Sequence, residues 1–291
     1  MSDAAVALDA APAVTAWDRV KLARHPDRPH ALDYVEALIS DWTELHGDRA
    51  FGDDQALVGG LGTIDGQTVM ILGHQKGNDT RENIARNFGM ARPEGYRKAE
   101  RLLRHAEKFG FPVLTLIDTP GAEPGIGSEE RGQATAIAES LLTMADLGVP
   151  TIAVIIGEGG SGGALAIGLA DRILMLENAI YAVASPEACA AILWKDAGRA
   201  AEAAETMRIT AADLSRFGII DEVVSEPLPA HDDAQSAIAA VGLAVRRLLH
   251  ELAADYPASD PQAADRLRAT RYERFRRIGA WRDSASGVAF G

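Results

Sequence analysis

The 291-residue sequence has a single cysteine, Cys189, and few aromatic residues, which make up 5% of the chain. One cysteine excludes an intrachain disulfide and a four-cysteine zinc site, and it favours a reducing compartment, so we expect a cytoplasmic protein. Basic residues are outnumbered as well, since the formal net charge is -13. A chain this acidic is a poor candidate for sequence-independent binding to nucleic acid or to anionic lipid.

The sequence also lacks a long apolar run. No stretch approaches the roughly 18 residues of a membrane span, and the N-terminus, MSDAAVALDAAPAVTA, has no basic region typical of a secretory signal. The hydrophobic content of 47% and the charged content of 24% are ordinary for a globular protein. We expect an Ala-rich tail over residues 1–30, a single domain over residues 31–280 and a C-terminal tail over residues 281–291.

Hydrophobic periodicity predicts an amphipathic helix over residues 31–46 and another over residues 93–109. Between them, Asp65-Gly66 separates two apolar runs, residues 57–64 and 67–73, which predicts a β-hairpin with a tight turn.

The middle of the chain alternates between strand and helix patterns. Apolar runs at residues 113–117 and 151–156 flank a helical pattern over residues 134–145. This order is typical of a right-handed βαβ unit with parallel strands. Because both runs are uniformly apolar, we expect an α/β fold whose sheet is covered on both faces.

Two long helices are predicted near the C-terminus, around residues 233–254 and 258–277. The second of these contains a run of arginines, which we interpret as a solvated helix face. The run comprises Arg266, Arg268, Arg271, Arg274, Arg276 and Arg277.

A glycine-rich loop follows each of the two predicted parallel strands. Residues 118–127 read DTPGAEPGIG, and residues 157–163 read GEGGSGG. Parallel strands place both loops at one edge of the sheet, where open α/β folds bind ligands. Glycine lets a ligand oxygen approach backbone N–H groups, and a helix that begins there adds partial positive charge. Two such loops predict an oxyanion hole, with tight helix–sheet packing as the alternative.

Ser161 lies in GGSGG, which fits the G-x-S-x-G pattern of hydrolase nucleophiles. The segment also resembles the serine region of Clp-type peptidases, but the histidine of those enzymes is missing, since the corresponding stretch reads Ala184-Ser185-Pro186. No histidine lies between residues 106 and 230, so only a distant base such as His231 is left. We interpret Ser161 as a small residue at a helix start, with a serine hydrolase as the remaining alternative.

Two basic residues lie near the predicted loops. Lys76, in HQKG after a strand, is a candidate contact for an anionic substrate group or a solvated loop residue. Arg131, in EERGQ, is a candidate anion contact or a partner in a salt bridge at its helix.

Four segments together resemble the α subunit of bacterial acetyl-CoA carboxylase carboxyltransferase. These are GHQKGNDTRENIARNFGMARPEGYRKAERL, IDTPGAEPGIGSEERGQ, GEGGSGGALAIG and SPEACAAILWKDAGRAAEAAETMRIT, in a likeness that runs from Asp33 to Ile278. The resemblance implies an α/β, crotonase-like fold of repeated ββα units with C-terminal helices. It also implies transfer of a carboxyl group from carboxybiotin to acetyl-CoA, which yields malonyl-CoA for fatty acid synthesis.

The resemblance further implies several partners. Biotin is carried by a separate biotin carboxyl carrier protein and is charged by a biotin carboxylase, which uses ATP. A carboxyltransferase β subunit with a zinc ribbon binds acetyl-CoA and completes the active site in an α2β2 heterotetramer. This chain has no C-x-x-C pattern, which agrees with an α subunit that holds no metal.

Carried over by motif, Gly162 and Gly163 are expected to donate backbone N–H groups to the biotin ureido oxygen. Gly160 and Ser161 adjoin the biotin, and Gly121 with Ala122 line the neighbouring hole.

The chain departs from the family pattern in its first loop, because Glu123 replaces the aromatic residue of GAYPG. A carboxylate beside an oxyanion site opposes the build-up of negative charge unless it points away. The alternatives are therefore a related propionyl-CoA or other acyl-CoA carboxylase, a decarboxylase, a weakly active scaffold subunit and the Ser161 hydrolase.

Overall fold

The computed structural model describes residues 14–279, together with the backbone of residues 281–282 and 289–290. A mixed sheet lies at its centre. Its strands are β1 (Ser40–Glu44), β2 (Leu57–Ile64), β3 (Gln67–His74), β4 (Val113–Thr119), β5 (Thr151–Gly160), β6 (Arg172–Leu176), β7 (Ile180–Ala182) and β8 (Glu222–Val224). The strands β9 (Trp281–Arg282) and β10 (Ala289–Phe290) form a separate antiparallel pair.

The helices surround this sheet and follow one another along the chain. They are α1 (Ala16–Ala23), α2 (Ala31–Leu38), α3 (Thr80–Ala85), α4 (Pro93–Phe109), α5 (Ile126–Glu130), α6 (Gln133–Asp146), α7 (Ser161–Leu165), α8 (Pro186–Trp194), α9 (Ala200–Met207), α10 (Ala211–Arg216), α11 (Ala234–Asp255) and α12 (Ala263–Arg276). In the described part of the chain, no helix combines the length and the apolar character that a membrane crossing requires.

The strand order is β1-β2-β3-β4-β5-β6-β8, with β7 paired to the end of β5. The predicted hairpin is confirmed as β2 and β3, whose turn residues Asp65 and Gly66 both have positive φ, at 48° and 81°. From β3 onward the strands are parallel. The predicted parallel βαβ unit is therefore confirmed.

Both faces of the sheet are covered, as the uniformly apolar strands predict. On one face, Leu102 of α4 packs so closely that a Cβ on Gly59 would lie 2.5 Å from its methyl carbon. On the other face, Ala31 of α2 lies 2.6 Å from the position of a Cβ on Gly73. Every residue of β4 is buried. The core is thus continuous through the central strands.

The prediction of one helix over residues 31–46 is wrong. The helix α2 ends at Leu38, and the chain continues as the edge strand β1, which pairs with β2. The cause is the glycine content of β2, because a Cβ on Gly60 would lie 2.2 Å from the carbonyl oxygen of Thr43. These glycines admit an edge strand at close range, and pairing with it overrides the helical period.

The assignment of residues 1–30 to a tail is wrong for its second half. Helix α1 has a capping box between Thr15 and Asp18 and buries Val20. Further on, the guanidinium of Arg28 is fully buried and donates two hydrogen bonds to Glu226, at 3.0 and 2.7 Å. Residues 1–13 lie outside the described residues, as do the side chains of the C-terminal tail.

The solvated arginine face on the last helix is also a wrong prediction. Arg271 of α12 is 1% exposed, and its Nε and Nη2 donate to the two carboxylate oxygens of Asp171 at 2.9 and 2.8 Å. Arg274 pairs with Asp221, and Arg268 pairs with Glu107. The arginines therefore attach α12 to the body of the fold.

Candidate functional site

The two glycine loops lie side by side, as the sequence predicts. Strands β4 and β5 are parallel neighbours, so the segments that follow them leave the same edge of the sheet. Strand β5 continues through Gly160, and α7 begins at Ser161. The GEGGSGG segment is thus the end of a buried strand and the start of a short helix.

Backbone contacts between the loops are closer than side chains would allow. A Cβ on Gly160 would lie 2.2 Å from the carbonyl oxygen of Pro120, and a Cβ on Gly163 would lie 2.6 Å from the amide nitrogen of Ala122. A real Cβ never approaches so closely, so both positions require glycine while the loops stay in contact. Gly162 differs, because its nearest neighbour is a methyl group of Ile137 at 3.7 Å.

Several amides at this junction have no acceptor in the described part of the chain. No side chain caps α7, and the first N–H groups of any helix lack an intrahelical partner. In the first loop the amide of Gly121 donates to Thr119 Oγ1 at 3.1 Å, whereas Ala122 N–H makes no such bond. The N–H groups of Ala122, Gly162 and Gly163 are therefore the donors that this junction offers to a ligand oxygen.

A single carboxylate, that of Asp118, connects the bases of the two loops. Asp118 ends the apolar part of β4 just before TPGA, and its Oδ1 accepts the N–H of Glu158, which precedes GGSGG, at 2.9 Å. The same oxygen accepts a hydrogen bond from Lys76 Nζ at 2.6 Å, while His30 Nδ1 lies 3.3 Å from Oδ2. The relative position of the loops thus depends on this buried group.

Asp118 is ionised despite its burial. Burial alone would raise its pKa, but the charge of Lys76 and the contact with His30 outweigh that effect and hold the pKa of Asp118 well below its ordinary value. Lys76 Nζ also lies 3.6 Å from Glu158 Oε2, and Glu158 accepts a hydrogen bond from Arg24 Nε at 2.6 Å. Basic and acidic groups thus alternate beneath the loops.

Lys76 was predicted to be a contact for an anion or a solvated residue. The structure shows that its partner is an anion of the chain itself, Asp118, and that its side chain is 15% exposed. Arg131 is likewise engaged within the chain: it donates to both carboxylate oxygens of Glu94, at 3.2 and 3.0 Å, and its guanidinium lies 4.7 Å from the ring centre of Phe51.

Glu123, the departure from the family pattern, is turned back onto its own loop. Its Oε1 accepts the N–H of Gly125 at 2.9 Å, and its carbonyl oxygen accepts a hydrogen bond from Gln133 at the start of α6. The carboxylate therefore stabilises the loop after Ala122 instead of facing the free amides.

Ser161 has no basic partner among the described residues. Its Oγ makes no hydrogen bond to a histidine, and His231, the distant base left open by the sequence, stacks on His25 with ring centres 3.7 Å apart. The backbone at Ser161 has φ 52°, a conformation that L-residues adopt at a cost of about 1–2 kcal/mol. The sharp turn from strand to helix accounts for this angle, so it supplies no evidence for a nucleophile.

Two fully buried polar side chains lie on the α4 side of the junction. Tyr96 Oη lies 2.9 Å from the position of a Cβ on Gly163 and has no hydrogen-bond partner. His74, the last residue of β3, has two unpartnered ring nitrogens, and burial lowers its pKa to about 4 in spite of the nearby Asp118 charge. The imidazole is therefore neutral at physiological pH.

An apolar cavity of about 340 Å³ adjoins α7. It is lined by Gly162, Leu165, Tyr181, Val183, Phe275 and Ile278, among others. The site thus joins a group of polar amides to an apolar surface, an arrangement suited to a ligand that has one polar oxygen on a largely apolar body.

Sequence reasoning overlooked Asp118, Glu158 and His30 as site residues. A signal for the first two was present, because each is an acidic residue that ends an apolar strand directly before a glycine loop. A carboxylate at such a position is buried and therefore needs partners. His30 precedes α2, far away in sequence, and only the fold brings it to Asp118.

Known proteins match this chain over most of its length. A family model described as acetyl co-enzyme A carboxylase carboxyltransferase-like matches residues 5–279. The carboxyl transferase subunit alpha of acetyl-coenzyme A carboxylase from Acidithiobacillus ferrooxidans is 58% identical over 267 residues, which cover 91% of this chain and 82% of that protein. The subunit of the same name from Synechococcus elongatus is 54% identical over 267 residues, covering 92% and 80%.

Solved structures share the fold at low sequence identity. The transcarboxylase 12S structure with methylmalonyl-coenzyme A and methylmalonic acid bound is 21% identical, with a TM-score of 0.60, and covers 82% of this chain and 46% of its own. The Pseudomonas malonate decarboxylase MdcD-MdcE heterodimer is 18% identical, with a TM-score of 0.58, and covers 76% and 90%. These likenesses confirm the predicted crotonase-like fold. On the strength of the family match and these identities, the chain belongs to the acetyl-CoA carboxylase carboxyltransferase α-subunit family.

Proposed function

We propose that this chain is the α subunit of an acetyl-CoA carboxylase carboxyltransferase. In that role it takes part in the transfer of a carboxyl group from carboxybiotin, on a biotin carboxyl carrier protein, to acetyl-CoA, with malonyl-CoA as the product. The observation that supports this most directly is the group of free amides at Ala122, Gly162 and Gly163, in a chain that belongs to the α-subunit family.

The donor set fits the ureido group of biotin. A ureido oxygen accepts hydrogen bonds and gains negative charge when the carboxyl group leaves, which is the chemistry that bound biotin would supply. The amides of Gly162 and Gly163 would hold this oxygen, with Gly160 and Ser161 beside the ring and Gly121 and Ala122 on the opposite side. Removal of one donor of this kind typically costs about 2.7–4 kcal/mol of transition-state stabilisation.

Local charge is compatible with this role. The carboxylate nearest the loop bases, Asp118, is paired with Lys76, and the carboxylate of Glu123 binds its own loop. Neither is an unpaired negative charge facing the amides. A growing charge on a ligand oxygen is thus opposed less than the sequence alone suggests.

We further propose that a β subunit with a zinc ribbon binds acetyl-CoA and completes the site in an α2β2 assembly in the cytoplasm. A biotin carboxylase, which uses ATP, would charge the biotin. The apolar cavity beside α7, with Val183 at 81% exposure, leaves the junction open on one side in the isolated chain.

The test uses the purified full chain together with the β subunit from the same organism. Malonyl-CoA is supplied with the biotin derivative biocytin, and conversion of malonyl-CoA to acetyl-CoA is measured. We expect no activity from the chain alone and activity with both subunits. Activity of the chain alone, or a β subunit that is active with another α subunit but not with this one, would overturn the proposal.

The same assay tests the acyl substrate. With both subunits present, methylmalonyl-CoA replaces malonyl-CoA as the carboxyl donor to biocytin. We expect malonyl-CoA to have the higher kcat/KM. A preference for methylmalonyl-CoA would instead identify a propionyl-CoA carboxylase subunit.

A further inference from the structure

Lys76 lies between the acidic groups at the bases of the two glycine loops. Its Nζ donates to Asp118 Oδ1 at 2.6 Å and lies 3.6 Å from Glu158 Oε2. Asp118 directly precedes the first loop, and Glu158 directly precedes the GGSGG part of the second. One ammonium group therefore contacts the base of each loop.

The link between the loops depends on the charge of Asp118. As a carboxylate, Asp118 accepts both the Lys76 ammonium and the N–H of Glu158 on the same oxygen. A protonated Asp118 is a weaker acceptor, because hydrogen bonds to an ionised group are about twice as strong as neutral ones. Burial favours protonation, so a counter-charge has to oppose it.

We propose that Lys76 is a positioning residue for the amide site. Its charge keeps Asp118 ionised, and ionised Asp118 holds the second glycine loop in register with the first. Lys76 thereby acts on the amides of Ala122, Gly162 and Gly163 without contacting the substrate. The activity readouts below rest on the proposed carboxyltransferase function, whereas the exchange readout does not.

The surroundings of Asp118 assign the main counter-charge to Lys76. The titratable and charged groups that face this region are Lys76, which follows β3; His74 at the end of β3; His30 and Tyr34 of the α2 segment; Arg24 and Arg28, which precede α2; Glu158 of β5; and Glu226. Arg24 binds Glu158 and Glu187, and Arg28 binds Glu226. Both guanidinium groups are therefore neutralised by other carboxylates.

The kinetic experiment compares three variants in the two-subunit assay. Lys76→Met removes the charge at similar length, Lys76→Arg restores a charge, and Lys21→Met is a control at an exposed lysine that pairs with Asp18. We expect Lys76→Met to lower kcat about 10- to 100-fold with little change in KM, because small misplacements of catalytic groups have effects of this size. We expect Lys76→Arg to recover most of the activity and Lys21→Met to resemble the wild type.

The pH profile separates positioning from a general loss of structure. In Lys76→Met the pKa of Asp118 rises, so kcat is expected to fall further as the pH is lowered from about 8 to about 6, while the wild type lacks this step. A rise in KM at unchanged kcat would overturn the proposal in favour of direct substrate contact. A kcat and pH profile equal to those of the wild type would also overturn it.

Amide hydrogen exchange in the full chain without its partner provides an activity-independent readout. We expect faster exchange over residues 157–163 in Lys76→Met than in Lys76→Arg or Lys21→Met. Equal exchange in all three would contradict the proposal. If the wild-type pair has no carboxyltransferase activity, the proposed function fails, but the exchange comparison still tests the role of Lys76.

Discussion

A Cβ on Gly163 would lie 2.6 Å from the amide nitrogen of Ala122, so the two glycine loops touch at this point through backbone alone. Gly162, one residue earlier, has no neighbour of this kind within 3.7 Å. Adjacent glycines of the same helix therefore have different steric requirements, although both are expected to offer their amides to the substrate.

This difference predicts unequal effects of two alanine substitutions. Gly163→Ala should separate the loops and lower kcat about 100- to 1000-fold, the range seen when an oxyanion donor is lost. Gly162→Ala should retain most of the activity, because its methyl group has room and its N–H remains. Both are measured in the two-subunit assay. Equal loss in the two variants would argue that loop contact is not what Gly163 provides.

A second prediction concerns Ser161, which has no histidine partner in the described part of the chain. Ser161→Ala should keep carboxyltransferase activity within about threefold of the wild type, because no nucleophile is removed. A fluorophosphonate probe should leave the wild type unlabelled. Labelling that disappears in Ser161→Ala would revive the hydrolase alternative and count against the proposed function.

A third prediction follows from the buried, neutral imidazole of His74. Its pKa is lowered to about 4 in the fold from an ordinary value of 6.5. Between these values the unfolded chain binds a proton that the folded chain does not, so stability falls as the pH decreases through this window, by about 3 kcal/mol in all.

Urea unfolding at several pH values checks the His74 contribution. His74→Asn should show a flatter decline between pH 6.5 and 4 than the wild type. His105→Asn, at an exposed position of α4, should decline as the wild type does. A decline in His74→Asn as steep as that of the wild type would mean that other groups cause it.

A fourth prediction concerns the attachment of α12. Arg271→Met leaves Asp171 buried without its bidentate partner and should lower the free energy of unfolding by about 3–5 kcal/mol. Arg276→Met, at an exposed position of the same helix, should change it by less than about 0.5 kcal/mol. Equal stability of the two variants in urea would contradict the structural role of Arg271.

The hairpin, the parallel strands, the long α4 helix and the two glycine loops could all be predicted because their signals are local. The turn at Asp65-Gly66 demands positive φ, and uniformly apolar strands demand cover on both faces. The helix predicted over residues 31–46 failed for the opposite reason, since β1 exists only because the glycines of β2 admit it.

The same division applies to the charged residues. A run of arginines reads as a solvated face from sequence alone, because nothing local reveals that Asp171 and Asp221 lie opposite it. Lys76 read as a possible ligand contact, because its partner Asp118 is 42 residues away. Ion pairs between segments distant in the chain are decided by how those segments pack.

The sequence by itself determined where the amide site lies, since glycine is required wherever backbones must touch, and this requirement is written into DTPGA and GEGGSGG. It also determined the family. Only the tertiary structure decided which amides are free, that Glu123 turns back onto its own loop, and that Asp118 and Lys76 join the two loops. The reason is physical: a backbone conformation is a local property, whereas the partner of a buried charge depends on the whole fold.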